Sequence, residues 1–171
     1  LTNESILLEY YMDVLGNEST RVLDFAFLNS VYHSGVCNPI DNAILACQTM
    51  PGRSAYYTGL LAQYQKTDEI PFDYARKFVS TLVTEEDGAG QLIIKGDIAH
   101  VVARCGFVEY RDAILPMDED KMRSVTFVVD EMLQDGMKVI AVARKRIEKQ
   151  NRILPEDEQS MILMGYLAFF D

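Results

Sequence analysis

From residue 6 to residue 15 apolar and charged side chains mix as they do on a half-buried strand, and Gly16-Asn17 ends the run. The period then lengthens. Val22, Leu23, Ala26, Phe27 and Val31 recur at helical spacing behind a cap at Ser19 or Thr20, with Gly35 as the stop. A second helix is predicted directly after it. Asn38 is its N-cap, Pro39 suits the first helical position, Asp41 stands where a capping box places its acid, and Ala43, Ile44 and Cys47 form the inner stripe. Pro51-Gly52 breaks that helix, and residues 55–64 predict a short third one with Tyr57, Leu60, Leu61 and Tyr64 inward.

Alternation then takes over. Residues 69–72, 78–84 and 91–95 are short β-like runs, the last two joined by a hairpin loop over 85–90. Asp97 caps a helix to about residue 104, which Gly106 closes, and a strand follows over 107–110. After a loop through Pro116, Asp118 starts a longer helix with Met122, Val125, Val129, Met132 and Leu133 on one apolar face. The acids Glu119 and Asp120 suit its positive N-terminus, and Gly136 ends it. Residues 137–143 read as a strand, the charged stretch 145–160 with Pro155 as an exposed insertion, and 161–170 as a last strand. Helices gathered before and between hairpin-linked strands predict an α+β fold: a largely antiparallel sheet of about six strands flanked by helices.

Composition narrows the classes. A chain of 171 residues with 49% hydrophobic and 10% aromatic residues suffices for one sizeable core, so a single domain is expected. Its apolar runs fall well short of the roughly 18 residues of a membrane span. Sixteen basic against 26 acidic residues, a net charge of −10, argues against binding a nucleic-acid backbone. Cys37, Cys47 and Cys105 show no Cys-x-x-Cys pairing, and with only His33 and His100 besides, neither a disulfide framework nor a thiolate or histidine metal cage is expected. With no initiator methionine and no leader-like start, the chain reads as a piece of something larger.

The candidate chemistry lies in two stretches. Residues 68–80 join an acidic approach, a proline-stiffened turn, the aromatic Phe72, the adjacent cations Arg76 and Lys77, and a strand-like run able to serve two faces. That order suits a nucleotide: a base stacks on Phe72 while Arg76 and Lys77 lie on the way to its phosphates. The alternatives are a core plug for Phe72 and a solvated strand edge for the cations. The second stretch, residues 90–97, is a strand ending in Lys95-Gly96, where glycine lets the backbone turn closely round a ligand. On an alternating strand Lys95 shares a face with Ile93 and Gln91, so a lysine snorkelling from a half-buried face is its alternative reading.

A Phe-then-cations strand followed by a Lys-Gly strand end resembles the nucleotide-binding domain of P-type ATPases. Both borders fit: Leu1-Thr2 is similar to the tail of the Asp-Lys-Thr-Gly-Thr-Leu-Thr phosphorylation signature. The Gly165-Tyr-Leu-Ala-Phe-Phe-Asp171 segment resembles the start of the family's Gly-x-x-Gly/Ala-x-x-Asp-Pro-Pro return. Residues 22–30, Gly35 with residues 38–44, and residues 69–73 look most like the magnesium-transporting branch.

The resemblance implies an adenine-stacking role for Phe72, a place near the phosphates for Lys77 with Arg76 beside it, and the adenosine pocket for Lys95 and Gly96. It puts Asp41 where the family has a Glu that hydrogen-bonds the adenine amino group, although helix capping explains the same residue. Lys138 falls where many relatives place an Arg that reaches the phosphates; lysine keeps the charge and loses the bidentate fork. Two departures matter. The usual Lys-Gly-Ala reads Lys95-Gly96-Asp97, which brings a carboxylate toward an anionic ligand unless Asp97 caps its helix. Phe78-Val79-Ser80 replaces the common Ser-Met-Ser.

By the same resemblance the whole chain is one nucleotide-binding domain, with 1–4 and 166–171 as hinge strands to a phosphorylation domain. It would belong to the cytoplasmic side of an integral protein of the plasma or inner membrane, without entering the membrane itself. Its partners would be ATP, with Mg2+ carried by the nucleotide, and the phosphorylation and actuator domains of the parent ATPase. The phosphorylated aspartate would lie upstream of Leu1, so the chain alone is expected to bind nucleotide and hydrolyse nothing. A calcium or proton pump, or a protein-interaction module without nucleotide, are the alternatives.

Overall fold

Strand and helix periods sort the chain onto one sheet with helices on both of its faces. The computed structural model describes residues 6–32, 38–148 and 150–170. Gly35 and the Leu1-Thr2 border lie outside the described residues. The order is β1 (Leu7–Asp13), α1 (Thr20–Val31), α2 (Pro39–Leu45) running into a 3-10 turn at Ala46–Thr49, α3 (Ser54–Gln63), β2 (Gln65–Ile70), β3 (Phe78–Thr84) and β4 (Ala89–Asp97). It continues through α4 (Ile98–Val102), β5 (Cys105–Tyr110), β6 (Ala113–Pro116), α5 (Glu119–Gln134), β7 (Lys138–Glu148) and β8 (Met161–Phe170).

Among the described residues seven of the eight strands run in the order β2-β3-β4-β7-β8-β5-β6, and the eighth, β1, pairs with β8 off this path. All pairings are antiparallel except β5 with β8. The expected mixed α+β architecture is therefore found, with eight strands in place of about six. The central strands are buried on both faces, and alternate residues feed two cores. In β4, Leu92 and Ile94 join Val101 of α4 and Val125, Val129 and Met132 of α5. Ile93 points the other way, to a core built by Val22, Leu23, Ala26 and Phe27 of α1, Ile44 of α2 and Tyr57 of α3. Gly165 of β8 permits the first strand to cross closely, since a Cβ there would lie 1.9 Å from the Met12 carbonyl oxygen.

Several boundaries differ from expectation for physical reasons. Pro71 has no N–H to donate, so the strand expected over 69–72 ends at Ile70 and leaves Phe72 in the connection to β3. The loop expected before α5 contains β6, which pairs with β5 through a turn whose residues Arg111 and Asp112 both have positive φ, 47° and 63°. Such a two-residue turn normally announces itself by glycine or asparagine, and here it does not. In α5, Val125, Val129 and Met132 are buried, but Met122 and Leu133 are exposed, because at 3.6 residues per turn both fall on one flank of the stripe.

The exposed insertion expected over 145–160 is corrected most. β7 continues to Glu148, Ile147 and Ile153 are buried, and Glu158 has no solvent exposure. Its charges conceal this because they are used internally: Lys145 Nζ donates to the carbonyls of Asp157 and Gln159, at 3.0 and 3.1 Å, and the Asp68 carboxylate accepts from Ile153 N at 2.8 Å.

Candidate functional site

Strand parity builds the site. Because Ile93 enters the core beneath α1 and α2, Lys95 two residues on emerges on the same face. The register sets Val79 of β3 and Val142 of β7 on either side of Lys95, and Ile140 opposite Asp97. Lys138 shares the parity of Ile140 and Val142 and opens β7 at the rim. Over this floor lies the start of α2. Its cap is Asn38, whose side chain accepts from Asp41 N at 2.8 Å.

Between these elements is a cleft of about 300 Å3. Val79, Val139 and Ile140 supply an apolar floor, Asn38, Ile40 and Asp41 the α2 wall, and Phe72, Lys77, Lys95, Gly96, Asp97 and Lys138 the rest. The sequence-predicted residues Phe72, Lys77, Lys95, Gly96, Asp41 and Lys138 thus converge, although they come from four separate segments of chain. Arg76 does not reach the cleft. Its guanidinium turns to Glu158, donating from Nε to Oε1 at 3.0 Å and from Nη2 to Oε2, and lies over the Phe78 ring at 4.6 Å.

Phe72 is 50% exposed at the cleft, so it is no core plug. Its ring meets Tyr74 edge-on, with centroids 5.8 Å apart, and leaves a face available for stacking. Lys95 is buried to 5% exposure. Its ammonium donates to Asp41 Oδ1 at 2.9 Å, and Ser30 Oγ donates to the same oxygen at 3.0 Å. Burial pushes the Lys95 ammonium below its ordinary value, and the Asp41 carboxylate opposes the shift. Asp41 therefore does more than begin a helix, since its carboxylate faces the cleft lysine.

Gly96 is required by close approach. A Cβ there would lie 2.3 Å from the Lys77 carbonyl oxygen, which instead accepts from Asp97 N at 3.0 Å. That bond holds Lys77 with a φ of 60° at the rim. Asp97 caps α4 as expected, accepting from His100 N at 3.2 Å and meeting His100 Nδ1 at 2.5 Å. Burial alone would raise its carboxyl, but these bonds hold it below the usual carboxylate range.

The residues that sequence reasoning missed are Asn38, Ile40, Val79, Val139 and Ile140. Apolar walls of a cleft look like core in a sequence; the one signal was strand parity, which puts Val79 beside Lys95 and Ile140 on the face of Lys138, and it does not reach Val139 or the α2 residues Asn38 and Ile40. Among the described residues no group of three or more His, Cys, Asp and Glu is placed to hold a metal ion. No described helix is long and apolar enough to cross a membrane.

The family profile described as P-type ATPase, cytoplasmic domain N, matches residues 33–171. A magnesium-transporting ATPase, P-type 1, of Escherichia coli strain K12 is 37% identical over the whole chain, and one of Salmonella typhimurium is 35% identical over the whole chain. A calcium-transporting ATPase of Listeria monocytogenes is 29% identical over 78% of it. The chain spans 19% of the length of the two magnesium-transporting relatives and 15% of the calcium-transporting one. With the profile covering most of the sequence, the cleft just described is a feature of a chain that belongs to the P-type ATPase cytoplasmic N-domain family.

Proposed function

We propose that the cleft binds the adenosine end of Mg-ATP and presents the γ-phosphate to the aspartate of a neighbouring phosphorylation domain, in an ATPase that transports magnesium. The observation that carries this reading is the convergence of Phe72, Lys77, Lys95, Gly96, Asp41 and Lys138 on one cleft with an apolar floor. Phe72 offers its ring to the base. The Asp41–Lys95 pair supplies a fixed acceptor and a buried donor beside it, suited to the polar edge of a purine, and Gly96 lets the Lys77 backbone pack against the end of β4 at the cleft rim. Lys77 and Lys138, both exposed at the rim, lie where they would meet phosphate oxygens as point charges.

The nucleotide supplies the transferable phosphoryl group, and its Mg2+ would arrive with it, because among the described residues the cleft offers no three-carboxylate or histidine cluster to hold a metal. The role of the chain is therefore positioning, which is most of what phosphoryl transfer asks of a protein. The actuator and phosphorylation domains would be its partners, reached through hinge strands leaving the β1/β8 pair, and the whole would sit on the cytoplasmic side of a membrane pump. The magnesium assignment rests on the relatives, since the cleft contacts nucleotide and not the ion.

A titration of the chain with ATP and then adenosine, followed by backbone amide NMR, tests the reading. Saturable shifts at Phe72, Lys77 and Lys95 are expected, with Kd about 0.1–1 mM and most of the effect kept by adenosine. Amides that stay unmoved at several millimolar nucleotide would overturn it and leave a docking module.

A further inference from the structure

We propose that Glu158 is a positioning residue for nucleotide binding, acting through Arg76 on the connection that carries Phe72 and Lys77. The inference rests on the nucleotide reading of the cleft. Glu158 follows the 3-10 turn Pro155–Asp157 and has no solvent exposure. Its carboxylate takes the Arg76 fork and a hydrogen bond from Ser80 Oγ of β3.

The same guanidinium reaches both ends of the connection. Nη1 donates to the Pro71 carbonyl at 2.9 Å and to Asp73 Oδ2 at 3.2 Å, and Nη2 donates to Ser80 Oγ at 3.1 Å. Asp73 in turn accepts from Arg76 N at 2.7 Å through its side chain and from Lys77 N at 2.8 Å through its carbonyl. Phe72 and Tyr74 are themselves exposed, so their own packing does not order the segment. Its shape is set from behind, by one half-buried cation bonded at Pro71, Asp73 and Ser80.

Glu158 cannot follow the loop if it moves. Lys145 holds the carbonyls on either side of it, and Asp68 holds Ile153 N. A buried ion pair gains little stability over an apolar pair of the same shape. Losing one partner strands a charge, so the pair enforces one geometry. Here the geometry enforced is that of the segment presenting the stacking ring and the rim lysine.

The test compares the chain with its Glu158→Gln variant by 15N relaxation over residues 72–77 without nucleotide, and by ATP titration of both, each with and without Phe72→Ala. Expected are increased fast motion at 72–77, an ATP Kd weakened about 5–10-fold, unchanged amides around Ile93, and a smaller further loss, the share that runs through Lys77, when Glu158→Gln is added to Phe72→Ala. Unchanged loop motion with unchanged Kd would overturn the proposal, and so would a loss that adds in full to that of Phe72→Ala. If the parent chain binds no nucleotide, the reading of the cleft fails, and the relaxation comparison alone decides whether Glu158 orders the segment. Should Glu158→Gln not fold, Arg76→Lys keeps the charge against Glu158 but cannot span Pro71 and Asp73 together. It is expected to show the same loop signature, and its absence would equally overturn the proposal.

Discussion

Phe72 is held by its neighbours in sequence and not by the core, so its removal separates binding from folding. Phe72→Ala is expected to leave the denaturant midpoint nearly unchanged and to weaken adenosine binding by about 1–3 kcal/mol, a loss of roughly 5- to 150-fold, read by amide titration. Cys105 titrates in the opposite regime. Burial pushes its thiol up to about 12, from an ordinary value of 9.0. The unfolded thiol ionises near 9 and the folded one does not, so its contribution to stability is complete below about pH 9 and is lost as pH rises from there toward 12. Alkylation at pH 9 is expected to be much slower than for a free thiol, and Cys105→Ala to flatten the alkaline fall of stability. At this scale the sequence was legible where alternation decides: the face of Lys95 followed from Ile93. The direction of Arg76 was not, because its partner lies 82 positions away and charge alone does not say whether a cation faces ligand or protein.

Helix α2 joins the element scale to the site. Asn38 caps it and lines the cleft, and the same turn aims Asp41 at Lys95. Asn38→Ala is expected to cost about 1 kcal/mol in denaturant unfolding and to weaken ATP severalfold in titration, because frayed backbone at α2 releases the Asp41 wall. A stability loss with unchanged affinity would show the cap to be independent of the cleft. Most elements could be read from period and punctuation, with caps at Ser19, Asn38, Asp97 and Asp118 all found in use. The failures share a cause. The β5–β6 turn uses Arg111 and Asp112 in left-handed conformations without a glycine, and the stretch after β7 buries Ile153 and Glu158 among charges that read as surface. Both depend on partners that local pattern does not contain.

The molecule as a whole is one sheet serving two cores, and residues one apart in β4 belong to opposite ones. Neither core can melt without exposing the other side of the same strands, so a single two-state transition is expected in calorimetry. For a Kd near 1 mM, about 10 mM ATP should stabilise the chain by about 1.4 kcal/mol and raise its Tm by about 3–5 °C, and adenosine should keep most of that shift. The fold class was legible because hairpin-linked strands between helical runs leave few alternatives. The crossover that places β7 beside β4 and β8 beside both β1 and β5 was not, since no local pattern names a distant partner. That topology has a consequence for synthesis. Leu7 pairs with Phe170, so the hydrogen-bonding edge of β1 is completed only once β8 has been made. At about 5–20 residues per second, β1 waits roughly 8–30 s on the ribosome with that edge unsatisfied, and the nascent chain is open to pairing with a neighbouring chain throughout the interval.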